Sequence, residues 1–228
     1  MTRSHAPFFF ADSGAGTNVS LSGDDARHLA VVRRAGEGEL IKVSDGKGSI
    51  HQARLTSVAR DLVTAEIVST DQVAKNEPTV RVFQALAKGG KADSVIQKLV
   101  ELGVDQITIF TSGRSVPEWD AAKSERMLDR WNEIARGAAK QSHRAWLPKV
   151  NGPLTLHEML AALGSSALFG DPDAGKRLRD ALPAEAAEIC LIVGPEGGFS
   201  EKEIRALEEK GAEGITLGPQ ILRTETAA

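Results

Sequence analysis

Glu196 is a lone carboxylate in a run of glycines. It lies in LIVGPEGGFS, Leu191 to Ser200, where an apolar stretch runs into Gly-Pro-Glu-Gly-Gly and a helical pattern starts at the serine. ITLGPQILRTET, Ile215 to Thr226, is a partial echo: an apolar strand broken by Gly-Pro, followed by a helical start that carries Arg223 and Glu225. Glycines let backbone N–H and C=O groups approach a ligand with no Cβ in the way. Proline stiffens the loop and removes one donor. Such loops suit a ligand read through backbone hydrogen bonds, such as a nucleoside. Neither G-x-x-x-x-G-K-[ST] nor G-x-G-x-x-G occurs, so these are not the commonest phosphate cradles. The same residues also describe two tight strand-to-helix turns with structural glycines, and physics alone leaves both readings open.

Both loops need strand ends to hold them. From Val80 onward apolar strands alternate with helices: VRVFQALA, the amphipathic KADSVIQKLVELG closed by Gly103, and QITIF. A long helix from Asp120 to Arg144 follows, then a short one near Leu154–Leu163. SALFG, EICLIVG, SEKEIRALEEKG, GITLG and a last helical start complete the pattern. This alternation predicts a parallel α/β sheet. Open α/β sheets bind ligands at the carboxyl ends of their strands, where both Gly-Pro breaks fall. Residues 39–69 differ in character. ELIKVSD, GKGSIHQARLTSVA and LVTAEIVST read as strands, with Asp45-Gly46 as a hairpin signal. SGDDARHLAVVRR before them reads as a short helix capped near Ser22. The expectation is a small, mostly antiparallel barrel over residues 1–72, a polar linker in STDQVAKNEP (Ser69 to Pro78), and an α/β domain over 73–228.

The 228 residues suffice for one large or two small domains, with 41% hydrophobic residues and a formal charge of −3. The charge is unevenly spread. Residues 76–153 carry 12 Lys/Arg against 9 Asp/Glu, and residues 154–228 carry 7 against 13. A basic middle beside an acidic end allows a local face for an anionic ligand. The one cysteine, Cys190, excludes an internal disulfide framework and fits a reducing compartment. No stretch approaches the roughly 20 apolar residues of a membrane span, and no signal peptide opens the chain. No Cys/His cluster has metal-ligand spacing, so no metal is expected. A cytoplasmic location is the expectation.

VGPEGGFS followed by LGPQILRTETAA resembles the last two motifs of the SPOUT methyltransferases, the trefoil-knotted superfamily. More narrowly, the whole chain resembles the bacterial 16S rRNA (uracil-N3)-methyltransferase family. DDARHLAVVRRAGEGELIKVSDGKG is similar to that family's PUA-like RNA-binding barrel. QALAKGGKADSVIQKLVELGVDQI, SGRSV and RWNEIARGAAKQSHRAWLPKV look like its first three catalytic-domain motifs. The ordered set is highly specific, whereas GPEGG alone is only moderately so.

The resemblance implies a knotted α/β domain that holds S-adenosylmethionine in three loops. Carried onto this chain, these supply Phe169 with the loop to Pro172, then Gly194, Pro195, Glu196, Gly197 and Gly198, then Leu217, Gly218, Pro219, Leu222, Arg223, Thr224 and Thr226. It also implies a homodimer and methylation at N3 of a uridine in the small ribosomal subunit. N3 is a protonated imide nitrogen and a poor nucleophile until its proton leaves. Under that reading Arg223 stabilises the developing anion, and Glu196 or Glu225 accepts the proton. Arg27, Arg33, Arg34, Lys88, Lys91, Arg114 and Arg144 are the expected RNA contacts. The family continues through a C-terminal helix that is barely begun at RTETAA, so a truncated helix is also expected. The rival readings are a knotted enzyme with another RNA target, and a non-catalytic RNA-binding module in ribosome assembly.

Overall fold

The structure, a computed structural model, describes residues 6–11, 13–87, 90–113, 120–164 and 166–228. The chain divides into two compact units. One comprises Met1–Lys75 with Ala139–Leu147, the other Asn76–Ala138 with Pro148–Ala228.

The first unit is a curled six-stranded sheet in the order β1-β4-β5-β6-β3-β2. Its strands are β1 (Phe8–Phe10), β2 (Ser13–Ala15), β3 (Asn18–Ser22), β4 (Leu40–Ser44), β5 (Ser49–Val58) and β6 (Leu62–Gln72). All neighbours are antiparallel except β1 and β4. Alternation builds the core: Val19 and Leu21, Ile41 and Val43, Ala53 and Leu55, Val63 and Ala65 all point to one buried face. The Asp45 turn forms as expected. The Asp45 carboxylate accepts from the amides of Lys47 at 2.7 Å and Ser49 at 3.0 Å, and Gly46 takes a φ of 71°.

The sheet curls into a half-barrel with β1 and β2 at its edges, in keeping with the small barrel expected from the sequence. Other expectations change. The polar Ser69–Gln72 stretch is not linker. It extends β6 against β5, with Ser69 opposite Gln52 and Gln72 opposite Ser49. The helix near Ser22 has two parts, α1 (Gly23–Arg27) and a π-helical stretch His28–Arg33. The Arg34 amide closes the latter on the Leu29 carbonyl, and Arg34 itself is left-handed with φ 55°. The segment 139–147 completes this unit. The Ser44 hydroxyl donates to the Ala145 carbonyl at 3.1 Å, and the Trp146 indole donates to the Val73 carbonyl at 2.9 Å. His143 stacks on Phe8, and Lys140 pairs with Asp25.

The second unit is a six-stranded parallel sheet in the order β12-β10-β11-β7-β8-β9. Its strands are β7 (Thr79–Ala85), β8 (Gln106–Thr111), β9 (Lys149–Thr155), β10 (Ala167–Gly170), β11 (Glu188–Val193) and β12 (Glu213–Ile215). The helices are α2 (Lys91–Glu101), α3 (Ala121–Gln141), α4 (Leu156–Ala161), α5 (Leu178–Ala181), α6 (Glu201–Glu209) and α7 (Thr224–Ala227). The last residues of α3, from Ala139, count with the first unit. β9 was not expected, because its Gly152-Pro153 reads as loop. It is the edge strand next to β8, where one missing backbone donor is tolerated. α3 stops at Gln141, three residues short of the expected Arg144. α4 begins with a reciprocal cap in which the Thr155 hydroxyl accepts from the Glu158 amide and the Glu158 carboxylate accepts from the Thr155 amide.

Candidate active site

The site is assembled at the carboxyl ends of β10, β11 and β12. Strand alternation sends Leu168, Leu191 and Val193 to a cavity and Phe169 and Cys190 to the core on the opposite face. Three loops leave these strand ends and are laced together by backbone. The Asp171 amide donates to the Ile215 carbonyl at 2.9 Å, and the Thr216 amide to the Lys176 carbonyl at 2.8 Å. The Thr224 hydroxyl donates to the Gly194 carbonyl at 2.8 Å. Between them lies a cavity of about 680 Å³.

The glycines of the Gly194–Gly198 loop have separate causes. A Cβ on Gly194 would stand 3.0 Å from the Phe199 ring, so this glycine permits aromatic packing against the strand end. Gly198 has a φ of +65°, and its amide closes a turn on the Pro195 carbonyl at 2.9 Å. α6 then starts on a capping box. The Ser200 hydroxyl accepts from the Glu203 amide, and the Glu203 carboxylate accepts from the Ser200 amide at 2.7 Å. Glu203 is buried and also accepts from the Gly113 amide at 2.9 Å.

Charge gathers at the cavity wall. The Lys91 ammonium, in the first turn of α2, lies 3.4 Å from Glu196 and 3.3 Å from Glu225. Arg223 stands 4.0 Å from the other Glu225 oxygen and is 82% exposed. The backbone amide of Glu225 itself, then Lys91 and Arg223, hold the Glu225 carboxyl below the usual carboxylate range despite an opposing desolvation effect. Two cations and two carboxylates therefore share this rim.

The expected cofactor residues separate on inspection. Gly194, Pro195, Glu196, Gly198, Leu217, Leu222, Arg223 and Thr224 border the cavity. Phe169 does not. It is 1% exposed and packs edge-on against Phe199, because alternation places it opposite Leu168 and Gly170. Gly197, Gly218, Pro219 and Thr226 belong to the same loops without bordering the cavity. Asp171 and Gln220, inside the expected loops, also line the wall, whereas sequence reasoning missed Lys91 there. Of the expected RNA contacts, Lys88 and Arg114 lie outside the described residues. Arg27, Arg33 and Arg34 are exposed, with Arg33 3.4 Å from Glu39. Arg144, expected in the catalytic half, belongs to the first unit because segment 139–147 packs there. Trp131 is fully buried, as are Phe8, Phe9 and Phe10, which fits core rather than base-stacking duty. Among the described residues no group of three or more His, Cys, Asp or Glu side chains is placed to hold a metal ion. Among the described residues no helix is long and apolar enough to cross a membrane.

Residues 75–228 match the model of an RNA methyltransferase domain, and residues 21–68 that of an RNA methyltransferase PUA domain. The chain belongs to this RNA methyltransferase family. The family's curated members include a ribosomal RNA small subunit methyltransferase E of Mycobacterium tuberculosis, 34% identical over 98% of this chain and 88% of that protein. The protein of the same name from Bacillus subtilis is 32% identical over 91% of this chain and 85% of its own length. Among solved structures, the Neisseria gonorrhoeae ribosomal RNA small subunit methyltransferase E bound to S-adenosyl methionine superposes with a TM-score of 0.88. It is 34% identical and covers 98% of this chain and 93% of its own. A Legionella pneumophila protein in complex with bound SAM gives 0.89 at 31% identity, with coverage of 98% and 93%. The fold of the family, a parallel α/β sheet preceded by a PUA-type sheet, is the fold of this chain.

Proposed function

We propose that the chain is an S-adenosylmethionine-dependent methyltransferase acting on N3 of a uridine in 16S ribosomal RNA. The observation that carries this reading is the cavity at the carboxyl ends of β10, β11 and β12, walled by three laced loops, in a chain whose relatives are small-subunit rRNA methyltransferases. The residues present fit the cofactor. Leu168, Leu191 and Val193 offer apolar wall for a base, and the loop backbones of Gly170, Gly194 and Gly198 offer close approach. Asp171 and Glu196 place negative charge at the wall of a cavity that would receive a sulfonium. When bound, S-adenosylmethionine supplies an activated methyl group on that sulfonium.

The chain's own residues have three tasks: hold the uracil in line, stabilise the charge left as N3 loses its proton, and move that proton away. Alignment is worth up to about 7–11 kcal/mol. Arg223 is the exposed cation at the cavity mouth and serves the second task. For the third, Glu225 is the poorer candidate, because a carboxyl held low is a weak base. Glu196 remains the better-placed acceptor, with Lys91 orienting it from 3.4 Å.

Residues 1–72 act as the RNA-binding domain and 73–228 as a knotted methyltransferase domain in this reading. The chain works in the cytoplasm as a homodimer. Leu102 at 78% exposure and Ile221 at 86%, both at the cavity rim, support a partner surface there. The test is calorimetry with S-adenosylmethionine, followed by methyl transfer to small subunits and nucleoside mapping. Methyl at N3 of one uridine is expected. Methyl on another base or in another RNA overturns the target, and absence of donor binding overturns the enzyme.

A further inference from the structure

Gln84 is a polar residue on the apolar strand VRVFQALA, on the same face as the cavity-lining Val82. It is 0% exposed. Both protons of its carboxamide nitrogen are engaged, one by the Ala85 carbonyl at 2.9 Å and one by the Thr224 hydroxyl oxygen at 2.9 Å. Thr224, 5% exposed, passes its single hydroxyl proton to the Gly194 carbonyl at 2.8 Å. The amide orientation follows from these partners: turned over, its oxygen would face the Ala85 carbonyl. The order of donors is therefore fixed. Because Gln84 fills the acceptor side of the Thr224 hydroxyl, that hydroxyl has one direction in which to donate, toward Gly194.

We infer that Gln84 is a positioning residue for the reaction, setting the Thr224 hydroxyl and through it the spacing of two cavity loops. Gly194 opens the Gly-Pro-Glu-Gly-Gly loop, and Thr224 follows Arg223 directly. One buried relay thus ties the end of β7 to the loop bearing Glu196 and to the segment bearing Arg223 and Glu225. The inference rests on reading the cavity as the S-adenosylmethionine site. A second observation separates positioning from packing. The Gln84 carboxamide oxygen is buried and has no hydrogen-bond partner among the described residues. A buried acceptor without a donor opposes folding, so stability alone does not explain a glutamine here. Methionine has similar length and no such oxygen.

The test uses the full chain and reads three quantities: Tm, S-adenosylmethionine affinity by calorimetry, and kcat on small subunits lacking the methyl mark. Gln84→Met is expected to keep or raise Tm. It should bind the donor about tenfold more weakly and lower kcat by about 10²-fold, the effect of a misplacement of about 1 Å. Thr224→Val should behave alike, and Thr224→Ser, which keeps the hydroxyl, should have a kcat well above that of Thr224→Val. Gln84→Met and Thr224→Val together should cost no more than the stronger single change, as members of one relay do. A Gln84→Met protein with lowered Tm and undiminished kcat assigns the residue to packing and overturns the inference, as do strictly additive effects. If Gln84→Met does not fold, the Val and Ser variants at Thr224 decide, and equal kcat in the two sinks the relay. Wild-type protein that binds no donor removes the cavity reading itself, whereas wild-type binding with indifferent variants removes only the relay.

Discussion

The Lys91 ammonium lies 3.3 Å from the Glu225 carboxylate, joining the start of α2 to the start of α7. The same ammonium reaches Glu196 at 3.4 Å. A lysine expected to meet RNA phosphate is thus engaged with two carboxylates at the cavity wall. Lys91→Met is expected to weaken S-adenosylmethionine binding by less than about tenfold, since partly exposed pairs are worth about 0.2–1 kcal/mol. The salt dependence of RNA binding should keep its slope. A slope shallower by about 0.7 would return Lys91 to the phosphate contacts.

That pair also sets a pH dependence. The folded Glu225 carboxyl sits below its ordinary 4.5, chiefly through its own backbone amide and then through Lys91. A lowered folded-state value contributes stability that is complete above 4.5 and is lost as pH falls through the folded value. The Tm gap between wild type and Glu225→Gln should be constant near neutrality and close on acidification below 4.5. A gap that widens in acid would contradict the assignment.

Arg223→Ala should cut methyl transfer by about 10²–10³-fold, the range for losing one preorganised donor. Donor affinity, measured by calorimetry, should change much less, because the guanidinium is exposed at the mouth. Equal losses in rate and affinity would make Arg223 a residue that holds the cofactor, not one that stabilises the developing charge.

Gly198→Val forces a β-branched residue to a φ of +65° at the cavity wall. Such strain costs about 1–3 kcal/mol, and donor binding should fall by about tenfold or more. Gly197, exposed and off the wall, should tolerate valine better. The reverse ranking would reassign the loop's ligand-facing residue.

RNA engagement is best tested on the full chain. Deleting residues 1–72 would strip Ser44 from Ala145, and the break would fall next to Val73, which holds Trp146, so the remainder would lose packing as well as RNA contacts. Alanine at Arg27, Arg33, Arg34 and Arg144 should instead flatten the plot of log affinity against log salt by about 0.7 per lost contact to unpaired RNA. Wild type, with about five contacts, should slope near −3.5. Donor affinity should hold throughout, and a fall in it would mean that these arginines support the fold.

Much of the fold was legible because local physics wrote it. Alternating Val, Ile and Leu marked β4 to β6, Asp45-Gly46 marked their turn, and the strand–helix alternation after Val80 marked a parallel sheet. The two Gly-Pro breaks lie in loops that border the cavity, although the same residues also suit plain strand-to-helix turns. β9 escaped because Gly152-Pro153 looks like loop until β8 supplies its partner. Segment 139–147 escaped because helical periodicity says nothing about which unit a helix end packs on.

What only the tertiary structure decided is which side chains meet. Phe169 and Leu168 are neighbours in sequence, yet strand alternation sends one to the core and the other to the cavity. Gln84 and Thr224 stand 140 residues apart, and no periodicity links them. Spacing along the chain fixes faces and ends of elements, because those depend on 2.0 and 3.6 residue periods. The direction of one hydroxyl proton depends on which donors and acceptors the closed fold leaves beside it, and that is settled only when the last segment comes to rest on the ends of β7 and β11.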